Sequence, residues 1–202
     1  MRKQALQRKK SYQKTFKKHG TSSRSLRWMS DAAAVIRYQN IVADIDFENK
    51  SVIDIGCGFG GIIPFIEGKT KSFKYLGLDV VPEFIDEAKK RYPKHSFKAG
   101  GWMELIKAHD IVLCSGVLNN KVKGDQYKYR EEAISLMFKN ANEILVFNMA
   151  GGFPQPINKS KFKLYCVDSL KILKYCLGLT TKVIWRHSYR KKEFTVVMFK
   201  DE

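Results

Sequence analysis

Two carboxylates bracket the glycine-rich stretch SVIDIGCGFGG, and their positions restrict what such a loop can hold. Asp54 stands two residues ahead of Gly56. Asp79 closes the next apolar run, FKYLGLD, 18 residues beyond Gly61. Gly56, Gly58 and Gly61 fit G-x-G-x-x-G, while Gly56, Gly58 and Gly60 fit G-x-G-x-G in the same loop. Glycines there let the backbone approach a ligand with no Cβ in the way. An acid at the second position commonly holds the two ribose hydroxyls of an adenosine, so Asp79 does not separate one nucleotide cofactor from another. Asp54 does. A nicotinamide or flavin dinucleotide would set its pyrophosphate against this loop and the helix that follows. A carboxylate beside two phosphate charges would be repelled in a partly dry site. S-adenosylmethionine (SAM) carries no phosphate but has a sulfonium and an amino group, both favoured by a nearby carboxylate. The expected cofactor is SAM.

The surrounding elements must present these residues at strand ends. SVIDI reads as a buried strand, followed by the loop and a short helix, GIIPFIEG. FKYLGLD is a second strand, VPEFIDEAKKRY a helix opened by Pro82, and HSFKAG a third strand. A turn at WMELIK leads to DIVLCSG as the fourth strand, QYKYREEAISLMFKNA as a long amphipathic helix, with Ala133, Leu136, Met137 and Ala141 on one side, and EILVFNM as the fifth strand. VDSLKILKYCLG reads as a helix capped by Asp168 or Ser169. Alternating strands and helices imply a parallel sheet covered on both faces. TKVIWRH and EFTVVMF, separated only by SYRKK, form an antiparallel hairpin. Ahead of the sheet, Asp31 is expected to cap AAAVIRYQNIVADI, whose apolar face would be Val35, Ile36, Ile41, Val42 and Ile45. The fold class is α/β: a Rossmann-like, doubly wound, seven-stranded sheet with an antiparallel final strand.

VIDIGCGFGG resembles the first motif of class I SAM-dependent methyltransferases, an acid followed by G-x-G-x-G. YLGLDVVPEFIDEAKKRYP is similar to the family's second motif, and DIVLCSGVLN to its fourth. The closing hairpin is similar to the family's antiparallel seventh strand. The resemblance covers residues 31–200. It implies cofactor contacts from Asp54, Gly56, Cys57 in the variable slot, Gly58, Gly60, Asp79, Val80, Gly101, Trp102, Ser115 and Gly116. Where relatives often place an adenine-binding acid, this chain has Gly100-Gly101-Trp102, so Trp102 either lines the pocket or plugs the core beneath it. Arg37 could pair with the methionine carboxylate if the first helix lies over the cofactor; surface solvation is its other reading. SLRWMSDAAAVIRYQNIV and RHSYRKKEFTVVMFK are also similar to a group of uncharacterised bacterial methyltransferases, which implies no substrate.

The acceptor is expected beyond the carboxyl ends of the central strands, near Ser115, Gly116, Asn119 and Asn120, and near Asn148, Gly151, Gly152 and Phe153. SGVLNN is not the N/D-P-P-Y/F/W signature of amino-group methyltransferases acting on DNA and protein. Asn119 is a candidate substrate-binding group or a turn cap. His187 is a candidate general base or an edge residue bonded to a neighbouring carbonyl.

At 202 residues, 44% hydrophobic and 12% aromatic, the chain can build one substantial core. No run approaches the ~18 to 20 apolar residues of a membrane span, and no apolar stretch backs the basic start to make a secretory signal. Cys57, Cys114, Cys166 and Cys176 lack C-x-x-C spacing, so no metal site is expected and a reducing cytoplasm is the simplest compartment. The net charge is +17. Residues 1–27 carry ten Lys or Arg and no acid, so residues 1–30 read as a basic arm and 31–202 as the methyltransferase domain. Such an arm suits RNA, DNA or another anionic surface, or is a solubilising tail. The expected function is methyl transfer to a small molecule. The alternatives are RNA methylation through the arm, a non-catalytic SAM-binding protein, and nicotinamide-dependent oxidoreduction. Oligomeric state is not legible.

Overall fold

The structure is a computed structural model that describes residues 2–159, 164–187 and 189–201, with side chains from residue 6 onward. Its strands are β1 (Lys50–Ile55), β2 (Phe73–Asp79), β3 (Ser96–Ala99), β4 (His109–Ser115), β5 (Ala141–Gly152), β6 (Val167–Asp168), β7 (Val183–His187) and β8 (Glu193–Phe199). The helices are α1 (Arg2–His19), α2 (Asp31–Val42), α3 (Ile63–Glu67), α4 (Pro82–Arg91), α5 (Gln126–Lys139) and α6 (Ser169–Leu177). The sheet order is β3-β2-β1-β4-β5-β8-β7, with β6 attached to β5. β1 to β5 run parallel, and β8 runs antiparallel to both β5 and β7. The sheet is the expected one plus β6, a two-residue strand too short to leave a periodic pattern.

Both faces are covered because both faces are apolar. Ile53, Ile55, Val112 and Leu145 pack with Ala133, Ile134 and Met137 of α5 and Ile172 of α6. Val52, Leu113 and Val146 face Tyr38 and Ile41 of α2, Ile63 and Ile66 of α3, and Ile85 and Ala88 of α4. Ser30 rather than Asp31 caps α2, accepting from the Ala33 amide at 3.2 Å. A serine in extended backbone reaches the third helical amide as well as an aspartate does. The buried face of α2 is Ala33, Tyr38, Ile41 and Val42, and Val35 is 40% exposed. Ala141 opens β5 instead of extending α5. Asp168 caps α6, accepting from Leu170 at 2.9 Å.

The basic arm is a docked helix. Phe16 meets Phe84 at 5.7 Å and Phe59 at 6.1 Å between ring centroids, and Tyr12 meets Phe84 edge-on at 6.1 Å. Gln13 adds a hydrogen bond to Glu83 at 2.8 Å. Two half-buried aromatic side chains hold α1 against Phe59 and Phe84 beside the glycine loop. Among the described residues no helix is long and apolar enough to cross a membrane. The four cysteines are free and buried.

Candidate functional site

Strand order reverses at β1, which pairs with β2 on one side and β4 on the other. Open α/β sheets form their ligand crevice at such a point. A cavity of about 810 Å³ lies there, lined by Asp54, Gly56, Cys57, Gly58, Asp79, Val80, Gly101, Trp102, Ser115, Gly116 and Arg37 together. Gly60 does not line it. A Cβ on Gly60 would lie 2.9 Å from the Tyr92 ring, so this glycine (φ +76°) serves packing behind the loop.

The loop is held by internal hydrogen bonds. Gly56 and Cys57 donate their amides to Leu78 O at 2.7 and 3.0 Å, Gly58 donates to Asp79 Oδ2 at 3.0 Å, and Gly60 donates to Cys57 O at 2.9 Å. These four amides are spent on the protein itself and do not form a phosphate cradle. Side chains would not fit at the first two glycines: a Cβ on Gly56 would meet Val117 Cγ2 at 2.1 Å, and one on Gly58 would meet Leu26 Cδ2 at 2.9 Å.

The two acids differ in what they lack. Asp79 accepts from the amides of Gly58 and of Val81, the latter at 2.9 Å on Oδ1, so each oxygen keeps a lone pair for a further donor. Burial pushes its pKa up to about 6, opposed by those amides. Asp54 is 3% exposed; its Oδ2 accepts from Tyr75 Oη at 2.8 Å and its Oδ1 has no partner. Burial pushes Asp54 up to about 7, the Tyr75 hydrogen bond opposes this, and the charge of Asp79 adds to it. An orphaned, buried carboxylate oxygen costs free energy until a donor or cation meets it. A ligand with an ammonium or sulfonium fits this site, and a pyrophosphate does not.

The sequence matches a methyltransferase domain family over residues 52–139, the segment that builds β1 to α5 around this crevice. Residues 52–139 carry a methyltransferase domain. Among relatives of this methyltransferase, a Mycobacterium tuberculosis protein provisionally named a methyltransferase is 23% identical over 157 residues, covering 74% of this chain and 93% of that one. The magnesium protoporphyrin IX methyltransferase of Synechocystis PCC 6803, solved with bound S-adenosylhomocysteine, superposes with a TM-score of 0.62 at 16% identity, covering 83% of this chain and 81% of that one. A plantazolicin methyltransferase, also solved with S-adenosylhomocysteine, gives 0.57 at 14% identity over 83% and 80%. The fold is common to this chain and the two solved structures.

Other expected residues of the methyltransferase divide between two places. Asn119 lines the cavity, but its Oδ1 accepts from the Ala150 amide at 2.7 Å and so ties the loop after β4 to β5. Trp102 is both wall and core: it lines the cavity, is 7% exposed, and points Nε1 at Tyr129 Oη at 3.4 Å. Arg37 reaches the cavity with its guanidinium bound through two nitrogens to Glu193 and lying 5.1 Å from the Trp28 ring. His187 does not reach it. The imidazole stacks on Trp185 at 4.3 Å and lines a second cleft with Gly151, Gly152, Phe153 and Glu193. Sequence reasoning missed the roof, where Arg8, Tyr12, Leu26 and Arg27 close over the cavity. The signal was present in the spacing of Tyr12 and Phe16 on one helical face.

Proposed function

We propose that this SAM-dependent methyltransferase methylates a small-molecule acceptor inside the roofed cavity at the β1 switch point. The unpartnered Oδ1 of buried Asp54, beside a glycine loop in which the amides of Gly56, Cys57, Gly58 and Gly60 are already used, is the observation that carries the cofactor reading. In this reading Asp54 faces the cationic methionine end, Asp79 accepts from the ribose hydroxyls, and Val80, Gly101 and Trp102 flank the adenine. Gly56, Cys57, Gly58, Ser115 and Gly116 supply close backbone walls, and Arg37 sits at the methionine end. Bound SAM supplies an activated methyl group. The protein's own residues orient the acceptor and exclude water from the site.

A small acceptor is supported by the roof, since α1 and the turn Ser23–Leu26 contribute Arg8, Tyr12 and Leu26 to the lining of the cavity. It is also supported by the names of the structural neighbours, which specify a porphyrin and plantazolicin. RNA as acceptor rests on the solvent-facing Lys10, Lys14, Lys17 and Lys18 of α1. A salt-dependent affinity for tRNA, abolished by reversing those four charges, would move the assignment to RNA.

Calorimetry with SAM tests the cofactor site. Asp54→Ala and Asp79→Ala are each expected to weaken binding at least tenfold, about 1.4 kcal/mol. Wild-type affinity in both variants would sink the reading.

A further inference from the structure

The fold sorts the cations of the N-terminal segment by direction. Lys10, Lys14, Lys17, Lys18 and Arg24 face solvent, whereas Arg8 and Arg27 are half-buried and line the cavity. Arg8 donates to Tyr129 Oη at 3.0 Å. Arg27, held in the left-handed region at φ 59°, donates to Ser11 Oγ at 2.5 Å, and its guanidinium lies 4.2 Å from the Tyr12 ring centroid. Arg8 stands one turn before Tyr12 on α1, and Arg27 lies on the Tyr12 ring, so both guanidiniums belong to the same part of the roof. Among the described residues neither arginine has a carboxylate partner, in contrast to Arg37 with Glu193.

Three of the cavity's carboxylates already accept backbone amides, and Asp54 lies at the glycine loop, where the cofactor reading uses it. Asp79 holds the loop amides, Glu104 Oε2 accepts from the Gly101 amide at 2.7 Å, and Asp125 caps α5 through the amides of Tyr127 and Lys128. Glu132 lies one turn along α5 from Lys128, itself a lining residue. Two half-buried guanidiniums without a counter-ion favour an anion, and their planar donor forks match a carboxylate. Tyr12, Leu26, Trp28 and Leu164 place apolar surface around the same space. No histidine occurs among the described lining residues, and an acceptor that arrives already deprotonated needs no base.

We propose that Arg8 and Arg27 form an anion seat for the methyl acceptor, which is an apolar small molecule carrying a carboxylate. The seat rests on the assignment of the cavity to SAM, and it gives the inward-facing part of the basic arm a function in acceptor capture. Benzoate and its neutral isostere benzamide are suitable probes, titrated by ligand-observed NMR against protein saturated with S-adenosylhomocysteine so that any seat for the cofactor's own carboxylate is filled. Benzoate is expected to bind at least tenfold more tightly than benzamide. Arg8→Gln and Arg27→Gln should each weaken benzoate at least fivefold, Arg27→Lys should restore only the part owed to charge, and the outward Lys18→Gln should change nothing. Melting temperature and S-adenosylhomocysteine affinity should match wild type in these variants. Equal binding of the two probes, or benzoate binding indifferent to both glutamine variants, would overturn the seat. A protein that fails to bind S-adenosylhomocysteine at all overturns the cofactor assignment instead, and the same comparison on free protein carrying Arg37→Met still decides the seat.

Discussion

Asp54 could be singled out in the sequence because the role proposed for it depends only on residue type and on distance from a glycine, and the structure puts it in the cavity wall. Its environment adds a pH dependence that no spacing reveals. Burial raises Asp54 to about 7 and Asp79 to about 6. A carboxylate with a raised folded pKa holds its proton more tightly folded than unfolded. Its contribution to stability is therefore full below its unfolded value, about 4, and is lost as pH rises through 6 to 7. The free protein should lose thermal stability across that window, and Asp54→Asn should flatten the loss. Cofactor affinity should move the other way, because attraction to a cation needs ionised Asp54. Calorimetry from pH 8 down to pH 6 should show SAM binding weakening several-fold in the wild type, with little change in Asp54→Asn. A level wild-type profile would remove charge as the reason for this acid. Arg8 and Arg27 were not legible as site residues. A basic side chain in a basic segment reads as solvated until the docking of its helix is known.

At the scale of elements, the five parallel strands and the closing hairpin followed from alternation and loop length, and the structure contains them. The sequence was silent on α1's position. Its composition suits a solvated arm, and the two aromatics that dock it, Tyr12 and Phe16, find partners 43 to 72 residues away, at Phe59 and Phe84. The spacing of Tyr12 and Phe16 marks one face of a helix, but nothing in it says which distant residues that face meets. The docking predicts that Phe16→Ala will release α1 without unfolding the sheet. Limited trypsin digestion should then cut at Lys14, Lys17 or Lys18 at least tenfold faster than in the wild type, while the fragment from β1 to β8 stays protected. An unchanged cleavage rate would mean that the aromatic cluster does not hold the helix. SAM should slow cleavage in the wild type, because α1 roofs the cavity that binds it.

Across the whole molecule, a few ion pairs join segments far apart in the chain. Arg37 of α2 reaches Glu193 of β8, Arg186 of β7 reaches Asp44, and Lys50 of β1 reaches Glu143 of β5. The first differs from the others in burial, its side chains being 11% and 12% exposed, and in place. Arg37 lines the main cavity, and Glu193 lines the second cleft beside His187 and Arg190, so the pair forms a shared wall between them. A bidentate guanidinium–carboxylate pair with little water around it is costly to break from one side, because the remaining charge stays buried. Arg190 Nη1, 3.6 Å from Glu193 Oε1, would leave that carboxylate a second cation, so losing Arg37 should be milder than losing Glu193. Glu193→Gln is expected to cost about 3 kcal/mol, Arg37→Met about 2 kcal/mol, and the double variant less than their sum. Chemical denaturation of the four proteins closes this cycle. Additive losses would show that the pair is not coupled, and a Glu193→Gln protein as stable as wild type would show that the wall stands without it. If Arg37 is also the partner of the methionine carboxylate, Arg37→Met should weaken SAM binding while Glu193→Gln, which frees the guanidinium, should not.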